Sequence, residues 1–128
     1  MAKPPPLAAR PPRLALRLHF APGQHMGPGK ADLLAAIAAT GSIAAAARDM
    51  GMSYRRAWSL VEALNQMFES PLVRSLRGGP QHGGAALTPL GAEVLAQFRA
   101  LEAAAQSGGA SAIAALAALA AKAKPAPG

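Results

Sequence analysis

Cysteine is absent from the 128 residues, which excludes disulfide bridges and thiolate metal sites. The chain also lacks the uninterrupted apolar segment of a secretory signal, because its opening MAKPPPLAARPPR is broken by prolines; cytoplasmic residence is the expectation. The alanine-rich tail is shorter than the ~20 apolar residues that cross a bilayer and ends in Lys122 and Lys124, so no membrane span is expected. Signatures of catalysis are missing too. His19, His25 and His82 fall in three separate segments, none with a second histidine or a carboxylate at metal-ligand spacing. Gly78, Gly79, Gly83 and Gly84 are not followed by a phosphate-cradling lysine and suit turn geometry. No nucleophile elbow or paired-carboxylate pattern appears, and neither enzyme activity nor a metal or cofactor is expected.

Acidic residues are few, six against thirteen Lys and Arg, which leaves a net charge of +7. That excess is unevenly placed. Lys3, Arg10, Arg13 and Arg17 put +4 in residues 1–27, the last 22 residues add +2, and the middle is nearly neutral. Position therefore matters more than total: Arg55, Arg56, Arg74 and Arg77 are expected on one side, with Asp32, Glu93 and Glu102 on other helices. The length suits one compact domain with tails. Residues 1–12 form a disordered, basic, Pro-rich arm, which either tracks phosphates or serves only solubility. Residues 13–106 form the domain, and 107–128 an Ala-rich tail with at most one weak helix.

The richest stretch is Gly41 to Leu64, GSIAAAARDMGMSYRRAWSLVEAL, which spells two short helices joined by a Gly-centred turn. Ser42 can cap the first helix, Gly51 can supply the positive φ that ends it, and Ser53 can cap a second helix running toward Glu69. Ala46 and Ala47 permit close approach, and Ile43, Met50, Met52, Ala57, Val61 and Leu64 recur at helical spacing as a shared core. On the other face, Tyr54, Arg55, Arg56 and Ser59 occupy the turns that a recognition helix inserts into a major groove, with Trp58 at the border. Two adjacent arginines offer fork-like donors for guanine edges or phosphates. Ser42 and Ser53 join them as candidate DNA-contacting residues.

The flanks extend this reading. PLVRSL (residues 71–76) and the short run from Ala85 to Thr88 read as a hairpin around the glycine-rich RGGPQHGGAA, whose tip carries Arg77 and His82 as a wing lying on the DNA backbone. Thr88 caps a further helix with Pro89 at its first position and a stripe of Leu90, Val94, Leu95, Phe98, Leu101 and Ala105. A helix so long in a domain so small leaves Leu90, Val94, Phe98 and Leu101 as candidates for a homodimer interface. Upstream, RLALRLHF (residues 13–20) alternates as a half-buried strand, and a helix with the stripe Leu33, Leu34, Ile37 and Ala38 ends at Thr40 and Gly41. The fold class is mainly α with a small β component: a winged helix-turn-helix with an N-terminal strand, a hairpin wing and a long C-terminal dimerisation helix.

That order of elements, with GPGK (27–30), ATGSI (39–43), MSYRRAW (52–58), LNQMF (64–68) and GGAALTPLG (83–91), resembles the N-terminal DNA-binding domain of the molybdate-responsive ModE regulators; the helix-turn-helix also looks like that of the LysR-type regulators. The likeness covers about Leu14 to Gln106. It implies a dimer on double-stranded operator DNA and, for full-length members, repression of molybdate-uptake genes. Those members carry a pair of small oxyanion-binding β domains after the long helix. The roughly twenty residues after Gln106 cannot make them, so molybdate binding is not expected of this chain. The other reading left open is a winged-helix module that binds a protein, such as a longer regulator, in place of DNA.

Overall fold

Caps and glycines set the element boundaries. The computed structural model describes residues 12–76 and 84–122. In chain order it contains β1 (Leu18–Ala21), β2 (Gln24–Met26), α1 (Pro28–Thr40), α2 (Ile43–Asp49), α3 (Tyr54–Met67), β3 (Val73–Leu76), β4 (Gly84–Leu87), α4 (Pro89–Gly108) and α5 (Ala110–Ala121). Gly41, at φ 74°, closes α1 by donating its N–H to the Ile37 carbonyl. Ser42 then caps α2 by accepting the Ala45 N–H at 3.1 Å. Gly51, at φ 68°, turns the chain, and Ser53 caps α3 by accepting the Arg56 N–H at 3.1 Å. Thr88 caps α4 in the same way, with Pro89 in the first turn where its missing N–H costs nothing.

These helices enclose one core. Met26, Leu33, Leu34, Ile37, Leu64 and Leu72 are its largest fully buried side chains, and Ala46, Ala47, Ala57 and Val61 fill the crossing of α2 and α3. Alanines at that crossing bring the two backbones close, which holds the helix pair at a defined angle.

β3 and β4 pair antiparallel, Val73 facing Leu87 and Leu76 facing Gly84, and the hairpin is tied to the helices at two points. The Gly41 carbonyl accepts the Ala85 N–H at 2.8 Å. Asn65, on α3, accepts the N–H groups of Leu72 and Val73 at 2.8 and 3.0 Å and donates to the Val73 carbonyl at 3.2 Å. A single amide side chain thus satisfies three backbone groups where the chain leaves α3 for β3.

The structure departs from the sequence reading at several positions. Strand structure begins only at Leu18, and β1 folds back on β2 with a bulge between His19 and Ala21. Leu18 and Phe20 are 43% and 52% exposed rather than half-buried. β2, Gln24–Met26, is three residues long, too short to show alternation in the sequence. Ala38 is exposed, although the stripe groups it with the buried Leu33, Leu34 and Ile37; it stands in the last turn of α1, two residues before Thr40. α3 stops at Met67, two residues before Glu69. Phe98 is 4% exposed, so its ring belongs to the core of its own chain and is not presented for dimerisation. α4 runs on through Ser107 and Gly108 into the segment read as the Ala-rich tail, and α5 leaves it at a bend of 66°.

Candidate nucleic-acid interface

At 3.6 residues per turn, the buried Ala57, Val61 and Leu64 define the inward arc of α3, and Arg55 and Ser59 fall diametrically opposite. Arg56 lies on one flank of that outward face, Tyr54 and Trp58 on the other. Ser53, Tyr54, Arg55, Arg56 and Ser59 are all exposed. Tyr54 and Trp58 reach 56% and 48%, so Trp58 belongs to the outward face and not to the core. Among the described residues every ion pair involves Arg99, and the guanidinium groups of Arg55 and Arg56 are held by no carboxylate. Their donors are therefore available to a ligand.

Ser42 and Ser53 have their hydroxyl oxygens committed as helix caps, so their contribution to the face is to fix where α2 and α3 begin. Capping leaves each hydroxyl hydrogen free to reach a phosphate. Arg74 is exposed on β3, in register with Ala86. Arg77 and His82 lie outside the described residues. On α4, Leu90 and Val94 are half-buried against the core and Leu101 is 40% exposed.

One acid, Glu62, falls on the outward side of α3 two turns after Arg55, and the ion-paired carboxylates lie elsewhere. Arg99 joins Asp32 at 2.7 Å and Glu102 at 3.0 Å, linking α1 to α4. Its hydrogen bonds to Asp32 and then Glu102 hold the guanidinium above its ordinary pKa. A second basic group gathers at the N-terminal hairpin, where the Lys30 ammonium donates to the His25 carbonyl at 2.8 Å and the His19 and His25 rings stand 5.5 Å apart. Desolvation, then the charges of Lys30, Arg17 and His19, lower the His25 pKa; desolvation and Arg17 lower that of Lys30.

Three features escaped the sequence reading. Asn65 gave no signal, because a polar residue at a helix end reads as solvated. Gly91 looked like an ordinary helical glycine, although a Cβ there would lie 2.1 Å from the Leu72 carbonyl oxygen. Trp58 could have been placed by measuring its angle from Ala57 and Val61. Among the described residues no group of His, Asp and Glu is arranged to hold a metal ion. No single helix described is long and apolar enough to cross a membrane.

A capped helix pair crossing over alanines, followed by a hairpin pinned to both, defines a winged helix-turn-helix, the DNA-binding class of small helical domains. It is a regulator fold and not an enzyme class. Residues 30–92 match the bacterial regulatory helix-turn-helix family of the lysR type. Within that family the domain is ModE-like. It is 48% identical over 81 residues to the molybdenum-pterin-binding protein MopB of Rhodobacter capsulatus, covering 63% of this chain and 30% of the relative. It is 43% identical over 70 residues to the molybdenum transport protein ModE of Azotobacter vinelandii, covering 55% and 26%. It is 41% identical over 68 residues to the DNA-binding transcriptional dual regulator ModE of Escherichia coli strain K12, covering 53% and 26%. The chain thus spans about a third or less of the length of these relatives.

Proposed function

We propose that this chain is a sequence-specific transcriptional regulator of molybdenum-related genes, molybdate transport or molybdenum-enzyme genes among them, and that it binds operator DNA as a homodimer in the cytoplasm. Two α3 helices enter successive major grooves. Arg55, Arg56 and Ser59 contact base edges, Tyr54 and Trp58 pack on sugar or thymine methyl groups, and Ser42 and Ser53 meet phosphates. Arg74, with Arg77 and His82 further along the chain, lies on the flanking backbone. Leu90, Val94 and Leu101 of α4 face the second copy.

The observation that carries this reading is the pair of exposed, carboxylate-free guanidinium groups opposite the buried arc of a capped helix. The molybdenum connection is carried by the names of the relatives alone. Fluorescence anisotropy with duplexes taken upstream of molybdate-transport genes tests the whole, at two salt concentrations. True binding weakens steeply with salt as counterions are released, and the Arg55→Ala, Arg56→Ala double variant loses the preference for those duplexes over scrambled ones. No binding near physiological salt, or a double variant as selective as the unaltered chain, overturns the proposal.

A further inference from the structure

α3 carries one outward line of polar side chains. Arg55, Ser59, Glu62 and Gln66 recur at helical spacing on the side opposite the buried Ala57, Val61 and Leu64. Arg55, Ser59 and Gln66 are exposed and Glu62 is half-buried. Glu62 is the sole acid of the helix.

The described residues supply no partner for a carboxylate there. The side chains three and four positions away on α3 are Trp58, Ser59, Asn65 and Gln66, so no cation lies within helical reach. Both ion pairs among the described residues belong to Arg99. The helix dipole gives no support either, because it favours acids in the first turn and Glu62 lies in the C-terminal half of α3.

On a face that meets DNA, such an acid repels the phosphates of every duplex. One kind of base edge offsets that repulsion. An ionised carboxylate can only accept hydrogen bonds. In the major groove guanine shows two acceptors, thymine an acceptor beside its methyl group, and adenine a donor flanked by the N7 acceptor. Cytosine alone shows the N4 donor with no acceptor on its own edge.

We infer that Glu62 is a specificity-determining residue, which accepts a hydrogen bond from the N4 amino group of a cytosine in each half-site. The inference rests on the DNA reading of α3 in the proposed function and extends it past the arginines. Arg55 and Glu62 stand about 10 Å apart along the helix axis, about three base-pair steps of about 3.4 Å, so the two side chains read different pairs in one groove. Arg55 binds wherever acceptors gather, on guanine or on phosphate. Glu62 accepts at one edge and repels the others, so the helix rejects sequences that the arginines alone would tolerate.

Selection from a library of random duplexes with the full-length chain reads the preferred site. Anisotropy then gives the affinity for that site, for its single-base replacements and for a scrambled duplex. With the unaltered chain one cytosine in each half-site is required, and its replacement by thymine or adenine weakens binding about tenfold. Glu62→Gln sets a donor beside the acceptor, the pattern that matches adenine N6 and N7, so selection at that position moves from cytosine to adenine. Glu62→Ala loses the cytosine preference and gains none. Both variants bind the scrambled duplex about threefold more tightly, because a charge of like sign leaves the phosphates, and both keep the circular dichroism of the unaltered chain. A selected site without that cytosine, or variants that tighten every duplex alike and still select it, overturn the inference and leave DNA binding intact. A library in which the unaltered chain enriches nothing overturns the proposed function and this inference with it.

Discussion

Gly91 rides directly on the carbonyl of Leu72: a Cβ placed on it would lie 2.1 Å from the Leu72 oxygen and 2.9 Å from its carbonyl carbon. This contact lets the first turn of α4 press against the segment that joins α3 to β3. The same carbonyl accepts the Thr88 N–H at 2.9 Å, and the Thr88 hydroxyl donates to the Pro71 carbonyl at 2.7 Å. The start of α4 is therefore fastened to the base of the wing. Gly91→Ala forces backbone against backbone, where no side chain can swing aside. A loss of about 1–3 kcal/mol or more is expected, read as a lowered midpoint in urea unfolding. A variant as stable as the unaltered chain would show that the contact relaxes freely.

Asn65→Ala removes the acceptor for the Leu72 and Val73 N–H groups together. Each amide left unsatisfied costs about 1–3 kcal/mol. Asn65→Asp keeps the acceptor and loses only the donation to the Val73 carbonyl, so chemical denaturation should rank the alanine variant below the aspartate one.

Arginines on different elements should fail differently on DNA. Arg55→Ala or Arg56→Ala is expected to cost about 1–3 kcal/mol on operator duplexes and to relax discrimination at the base read. Arg74→Ala, on the wing strand, should weaken all sequences alike and reduce the salt slope by about one. Trp58 is the lone tryptophan, so its emission gives an independent signal: binding at the α3 face should quench or shift it.

His25 should titrate by NMR below its ordinary value of 6.5, because desolvation and the neighbouring Lys30, Arg17 and His19 disfavour its charged form. Between the folded and unfolded midpoints the unfolded chain binds more protons, so stability rises with pH there. The penalty is absent above about 6.5 and grows as pH falls through that window. Lys30→Met should move the His25 midpoint upward.

The Arg99 pair with Asp32 is solvent-accessible, at 40% and 53% of the two side chains. Asp32→Asn should therefore cost only about 0.2–1 kcal/mol and should lose its effect at high salt, as double-mutant cycles across a salt series would show.

Much of the regulator domain was legible because its signals are local. Ser42, Ser53 and Thr88 cap the helices within three residues of themselves, and Gly41 and Gly51 need positive φ whatever surrounds them. The helical spacing of Ala57, Val61 and Leu64 placed the outward face of Arg55 and Ser59 without any tertiary information. Asn65 and Gly91 were not legible, since their roles depend on a strand and a carbonyl that come near only when the chain has closed. Leu18 and Phe20 misled for a related reason. Alternation shows that a strand has an apolar side, but the side is buried only if something covers it.

What the amino-acid order alone determined here is the sequence of helices, turns and caps, together with which side of α3 is free, because these follow from backbone preferences and periodicity over a few residues. Only the folded arrangement decided that Phe98 belongs to the interior while Leu18, Phe20 and Leu101 stay at the surface, and that α5 bends away from the body. Burial is a property of what lies opposite in space, and two apolar residues of one stripe part company where their helix runs past the end of its core.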